Sequence, residues 1–238
     1  MEVLTIIELD QQLLLMLNGS HSLWLDNMAH ILTTATTWIP MYVALMYMVI
    51  KCNDSMQQIV MVVCAAGLCA LLSGTICDMF VKPTVMRWRP THDPVIGMLV
   101  DVVNGYRGGN YGFFSSHAAN TFSIAVMFSL LVRSAALSIT LISWSLLNCW
   151  TRMYLGVHYP GDILCGLLWG GVAGTLVYLG LIYVSGNNKK VKHRFVSDKY
   201  TYSGYLYNDA NVVILVFILT LLYAVTVSYT HLTLPTTP

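Results

Sequence analysis

Charge is what this chain has least of. Only 10% of its 238 residues are Asp, Glu, Lys or Arg, against 56% hydrophobic, and the mean hydropathy is +0.65. Soluble globular domains carry about 25% charged residues, so a water-soluble fold is excluded. Cysteine occurs six times but never as C-x-x-C. Cys64, Cys69, Cys77, Cys149 and Cys165 lie in or beside apolar runs, and Cys52 lies in a short connection. That pattern fits small buried hydrophobes and argues against a disulfide framework or thiolate metal site. Clustered carboxylates of the kind that hold Mg²⁺ are missing too, since Asp93 and Asp101 stand alone in their loop. No metal and no other cofactor is expected. The opening Met1-Glu2-Val3 lacks the basic start of a secretory signal peptide, so the first spanning helix is expected to act as its own insertion signal. The net charge of +1 neither favours nor opposes an acidic partner, and nucleic acid is not an expected one.

Apolar length is what the chain does have. Windows free of Asp, Glu, Lys and Arg run over 27–50, 55–77, 108–132, 134–151, 163–188 and 210–238. A helical crossing needs about 20 apolar residues. Runs this long, with no period-two alternation, are helices rather than barrel strands. The expected fold is all-α, an integral membrane bundle of six transmembrane helices. The first is expected from about Ile31 to Ile50, with Pro40 tolerated early in it, and the sixth from about Val212 to Val227. Gly166, Gly170, Gly171 and Gly174 in the fifth run suit close helix contact. Residues 3–28 mix Leu and Ile with Glu8, Asp10 and Asp26, which predicts an amphipathic helix lying in the interface with Trp24 as an anchor. The organisation is thus an interfacial segment over 1–28, a membrane domain over 29–226, and a tail over 227–238 that reads like translated sequencing adapter rather than natural sequence.

Basic residues set an orientation. Lys51, Arg133, Lys189, Lys190, Lys192, Arg194 and Lys199 fall in loops on one side, which is therefore expected to be cytoplasmic. The other five, Lys82, Arg87, Arg89, Arg107 and Arg152, fall on the opposite side, in or beside three polar motifs.

The first motif is Lys82-Pro83-Thr84-Val85-Met86-Arg87-Trp88-Arg89-Pro90. Lys82 and Arg89 are two helical turns apart and could project from one side, with Asp78 one turn earlier placed to orient Lys82. Taken alone, a basic helix end can simply snorkel to headgroups. The second is Phe114-Ser115-Ser116-His117, opening the third apolar run. Free N–H groups and small hydroxyls at a helix N-terminus suit an anion, though Ser115 could be no more than a cap. The third runs from Thr151 and Arg152 through His158 to Asp162. If His158 is helical, Asp162 shares its face and can hold the ring; Asp162 could equally cap the fifth helix. Each bland reading stands alone, but ionisable groups gathered at one membrane face are costly and point to function.

In order and spacing these motifs resemble the type 2 phosphatidic acid phosphatase (PAP2) superfamily of membrane lipid phosphatases, over roughly residues 30–184. Two positions depart from its usual pattern: Phe114-Ser115-Ser116-His117 stands for Pro-Ser-Gly-His, and Thr151 stands for the serine before the arginine of the third motif. The resemblance implies a PAP2/haloperoxidase-like core. It also implies catalysis by His158 as nucleophile through a phosphohistidine, Asp162 fixing its tautomer, and His117 protonating the departing oxygen. Lys82, Arg89, Arg152, Ser115 and the Ser116 backbone would hold the phosphoryl group. The implied partners are membrane lipids and a lipid phosphate or diphosphate substrate. Undecaprenyl diphosphate, phosphatidic acid, phosphatidylglycerol phosphate and a lipid A phosphate all fit, the first being the foremost to test. The implied location is a bacterial inner membrane with the site facing the periplasm. The competing readings are a non-catalytic protein binding anionic lipid, and a vanadate-holding haloperoxidase, which the six spans disfavour.

Overall fold

Long apolar runs leave a chain in lipid one economical solution, which is to satisfy its backbone within helices. A computed structural model describes residues 2–20, 22–186 and 198–233 and is helical along most of that length. Its helices are α1 (Glu2–Leu17), α2 (Leu23–Thr33), α3 (Ile39–Cys52), α4 (Met56–Ala70), the short α5 (Lys82–Val85), α6 (Ser116–Val132), α7 (Ala135–Tyr154), α8 (Pro160–Ser185) and α9 (Tyr207–Thr233). The all-α class is the expected one, with six longer helices from α3 onward, α5 apart, among the described residues. By length and composition, four segments can cross a bilayer: Ala35–Cys52, Met56–Val85, Pro160–Ser185 and Tyr207–Thr230. Helix α6 is shorter, at 17 residues, and α7 buries Ser145, Asn148, Thr151 and Arg152. Lys189, Lys190, Lys192 and Arg194, on which the cytoplasmic assignment leans, lie outside the described residues, as do residues 234–238 of the suspected tail.

Three boundaries differ from expectation, each for a local reason. Residues 3–28 hold two helices, not one, because Gly19 takes a left-handed turn (φ +63°) and a Cβ there would come within 2.3 Å of the Asp101 carboxylate. Ser22 then caps α2, and Trp24 directs its indole N–H at the Val225 carbonyl of α9, 3.4 Å away. The first expected span breaks after Thr33, whose successor Thr34 is extended, and resumes through a 3₁₀ turn over Ala35–Trp38 into α3, with Pro40 in its first turn. The second continues past residue 77 through widened, π-type turns over Leu71–Thr75 and Cys77–Val81 into α5. Such turns recur at functional sites, and here they carry Asp78 and Lys82 to the end of the helix.

The ends of the bundle are segregated. Cys52 to Asp209, Asn53 to Tyr205, Ser203 to the Val132 carbonyl and Arg133 to Tyr178 tie together one end. At the other end, α5, the start of α6, the end of α7 and the start of α8 converge.

Helices α6 and α8 approach backbone to backbone, and glycine makes that possible. A Cβ at Gly166, Gly170 or Gly174 would stand 2.7, 2.5 or 2.4 Å from the carbonyl oxygens of Ser115, Ala119 and Ser123. This is the small-residue packing expected of helices in lipid, and it holds Ser115–His117 against the start of α8. Gly174→Ala should therefore force the helices apart at a cost of about 1–3 kcal/mol, as overpacking does. Gly180→Ala, where a Cβ meets nothing within 4 Å, should be neutral or slightly stabilising. Thermal unfolding in detergent checks the pair; equal melting temperatures would refute the packing account.

Candidate active site

Proline sets the backbone of both cationic loops. The residue before a proline is pushed to extended conformations, so Arg89, before Pro90, lies at φ −69° and ψ 151°. The helix has already ended at Val85, with Met86 left-handed at φ 50°. Lys82 and Arg89 thus do not share a helical face, contrary to the two-turn expectation. They are brought to one site by a fold-back in which Arg89 N–H donates to the Asn110 carbonyl (2.9 Å) and Gly112 N–H to the Arg87 carbonyl (2.9 Å). Arg107 and Thr91 brace the same loop through each other's carbonyls.

The third motif is arranged likewise. Tyr159, before Pro160, is extended and caps α8, so His158 stands outside the helix. Its approach to Asp162 is made by a turn meeting a helix start, not by two residues on one helical face. Imidazole Nδ1 lies 3.5 Å from Asp162 Oδ2. Asp162 does cap: Oδ2 accepts the Tyr159 N–H at 3.1 Å. Its Oδ1 accepts Arg87 at 2.8 Å, and Arg87 in turn reaches Asp10 of α1 and stacks over Tyr159, 4.2 Å from the ring centre.

The remaining residues close around the His158 ring. Gly112 is at contact limit, since a Cβ there would be 3.0 Å from Asp162 Oδ2 and 3.5 Å from His158 Nδ1. Lys82 reaches Asp78 (2.6 Å), as expected, and the Ser116 hydroxyl (3.2 Å). Ser115 caps α6, accepting the Ala118 N–H at 3.4 Å, and its own N–H donates to the Asp162 carbonyl at 3.1 Å. His117, half-buried, lies near enough to feel Arg152, Lys82, Arg89 and the His158 ring. Arg152 is buried, held by Thr33 Oγ1 (2.7 Å) and Tyr106 OH (3.3 Å). Thr151 is turned away, its hydroxyl bonded to the Asn148 carbonyl at 2.7 Å. All eight residues singled out from the sequence therefore gather at one end of the bundle.

Electrostatics show what the arrangement favours. Arg89 Nη1, Arg152 Nε and His158 Nε2 are buried without a hydrogen-bond partner among the described residues, whereas His158 Nδ1 faces the Asp162 carboxylate. Orphaned buried donors cost about 1–3 kcal/mol each, so their concentration here marks a place built for an acceptor. Burial, and then the charge of Arg152, lowers the Arg89 pKa: like charges share a poorly hydrated pocket that an anion would relieve. Burial followed by Arg89, Arg152 and Lys82 holds the His158 pKa well below its usual value, leaving the ring neutral and able to donate its lone pair. Burial alone would raise the Tyr106 phenol, but Arg152 and Arg89 outweigh it and lower its pKa.

The depressed His158 pKa carries a stability consequence. Below its ordinary pKa of about 6.5 the unfolded chain binds a proton that the folded ring refuses. This contribution is therefore fully present above that pH and is lost as pH falls. The melting temperature should drop more between pH 7.5 and 5.5 in the wild type than in His158→Gln, which has no such group; equal drops would contradict the buried neutral ring.

Arg87, Asp10, Tyr106 and Thr33 were not identified as site residues from the sequence. Arg87 had a signal, being a further cation two residues before Arg89. Asp10 and Thr33 had none, because they arrive from helices 77 and 119 residues away from their partners.

A cationic, poorly hydrated cradle around a neutral histidine, at the end of a membrane-embedded helical bundle, defines a phosphoryl-handling membrane enzyme. The chain belongs to the PAP2 superfamily, which matches residues 59–185. It is an integral membrane phosphatase acting on a lipid phosphate. It is 40% identical over 172 residues to a lipid A 4'-phosphatase of Bacteroides thetaiotaomicron, covering 72% of this chain and 76% of that protein. It is 33% identical over 178 residues to a lipid A 4'-phosphatase of Porphyromonas gingivalis, covering 75% of each. No solved structure matches significantly.

Proposed function

We propose that this protein removes the 4'-phosphate of lipid A, a phosphate monoester, through a phosphohistidine intermediate. The observation that carries the substrate is the likeness to two lipid A 4'-phosphatases, each over about three quarters of either chain. Undecaprenyl diphosphate, the substrate put first on sequence grounds, thereby becomes the comparison.

The chemistry follows from the site. Asp162 faces His158 Nδ1 and selects the tautomer that leaves Nε2 with its lone pair. Nε2 attacks phosphorus; a P–N bond forms as the P–O bond to the lipid breaks. His117, protonated once the anionic phosphate sits among the cations, supplies that proton to the departing oxygen. The charge spread over the equatorial oxygens is met by Lys82, Arg89 and Arg152, with the Ser116 N–H and the start of α6 adding backbone donors. Water then attacks phosphorus, giving its proton to His117 as the P–N bond breaks and its electrons return to the ring. The cradle faces the periplasm on this reading, because Lys51, Arg133 and Lys199 lie towards the opposite end and basic loops favour the cytoplasmic side.

Purified protein in detergent, offered lipid A, undecaprenyl diphosphate and phosphatidic acid, should release phosphate fastest from lipid A. Faster release from undecaprenyl diphosphate would overturn the substrate. His117→Ala should lose far more activity on lipid A than on an aryl phosphate whose leaving group needs no proton. Equal losses would remove His117 from the acid role, and no release from any lipid by the wild type would favour an anionic-lipid-binding protein.

A further inference from the structure

The PAP2 match begins at residue 59, yet the ion pairs around Asp162 begin at residue 10. Asp10 sits on α1 with 13% of its side chain exposed. One oxygen pairs with Arg87 Nη2 and the other accepts the Gly161 N–H at 2.8 Å. Arg87 Nη1 pairs with Asp162 Oδ1 at 2.8 Å. A single guanidinium thus bridges a carboxylate of the N-terminal helix and the carboxylate facing His158. Helix α1 is fixed in place by more than this pair. Leu14 packs with Ile96, Val100 and Tyr159, and Asn18 donates to the Tyr154 and Asp101 carbonyls.

We infer that Asp10 is a positioning residue for the phosphatase reaction, fixing the Asp162 carboxylate through Arg87 and through the first turn of α8. Arg87 has five donors in a rigid fork. Shared between two carboxylates, it can offer Asp162 only one branch, which leaves Asp162 Oδ2 for the Tyr159 N–H and the His158 ring. Without Asp10 the fork is free to take Asp162 with both branches, or to turn towards the cations' phosphate. Either move draws the carboxylate off the imidazole. Asp10 also holds Gly161, the residue before Asp162, so both the backbone and the side chain of that carboxylate are set from α1.

The inference rests on the role of Asp162 proposed above, and the test separates the two. Asp10→Asn should lower kcat on lipid A about tenfold with KM within about twofold, because the carboxylate acts on the nucleophile and not on the phosphate. Asp10→Glu, which restores the charge, should recover part of that loss. In an Asp162→Asn background Asp10→Asn should cost nothing further, as expected of residues acting as one unit. Gly161→Ala gives an independent arm if Asp10→Asn does not fold. A Cβ there comes 2.9 Å from Asp10 Oδ2, so it displaces the carboxylate while improving helix propensity, and kcat should fall with KM held. Wild-type kcat in both Asp10→Asn and Gly161→Ala, beside an Asp162→Asn enzyme of greatly reduced but measurable turnover, would overturn the link alone. Losses that multiply in the Asp162→Asn background would also overturn it. An Asp162→Asn enzyme with wild-type turnover would overturn the role of Asp162 itself, and the link with it.

Discussion

Replacing His158 by alanine should abolish lipid phosphate hydrolysis, leaving less than about one part in 10⁴ of wild-type turnover, the scale expected when a nucleophile is removed. His158 is fully buried, its Nε2 has no hydrogen-bond partner among the described residues, and burial plus three cations keep it neutral. Those conditions favour an attacking lone pair over a charge donor. The cradle of Lys82, Arg89 and Arg152 does not depend on the imidazole, so the variant should still bind substrate. A truncated ring leaves a cavity worth a few kcal/mol at most, and it also removes a buried base that resists protonation. The measurement is phosphate release beside binding of the lipid to the same purified variant. Residual turnover within tenfold of wild type would show that another group attacks.

Arg152→Lys should lower kcat/KM by about 10²–10³-fold, although charge is retained, the scale of losing a preorganised donor to a transition-state oxyanion. The guanidinium is held on its outer edge by Thr33 and Tyr106 and lies 5.3 Å from the Tyr106 ring centre, leaving Nε unpartnered. It can be held and donate at once because its donors are spread over a planar fork. A lysine ammonium is one point on a flexible stem and cannot span both jobs. Steady-state kinetics on lipid A checks this, and a Thr33→Val variant gives a graded control, losing the anchor but keeping the fork. Wild-type kinetics in Arg152→Lys would mean the residue supplies only field.

Much of this site was legible because its chemistry sits in short motifs. Lys82, Arg89, Ser115, Ser116, His117, Arg152, His158 and Asp162 were all singled out by type and spacing, and so was Asp78 as the partner of Lys82. The helical-face geometry assumed for Lys82 with Arg89 and for His158 with Asp162 did not hold. The signal against it was already present: Pro90 and Pro160 each force the preceding residue out of the α region, so neither pair can share an uninterrupted helix. The close packing of α6 on α8 was readable from the glycines of the fifth apolar run, because only a missing Cβ lets helix backbones meet. The helix break at Thr34 was not readable, since an apolar window carries no charge to mark where one helix yields to another. Nor was the bridge from Asp10 through Arg87 to Asp162. Nothing local distinguishes Asp10 from Glu8 two residues earlier; only the docking of α1 against α7 and α8 makes one of them part of the site.

The most direct measurement is to mix purified enzyme with lipid A carrying a radiolabelled 4'-phosphate and quench within milliseconds to seconds in alkali, where a phosphorus–nitrogen bond survives. Label should appear on the protein during turnover, map to the peptide containing His158, disappear on acid treatment, and be missing in His158→Ala. Turnover with no label on the protein at any quench time, or label on another residue, would contradict the phosphohistidine account.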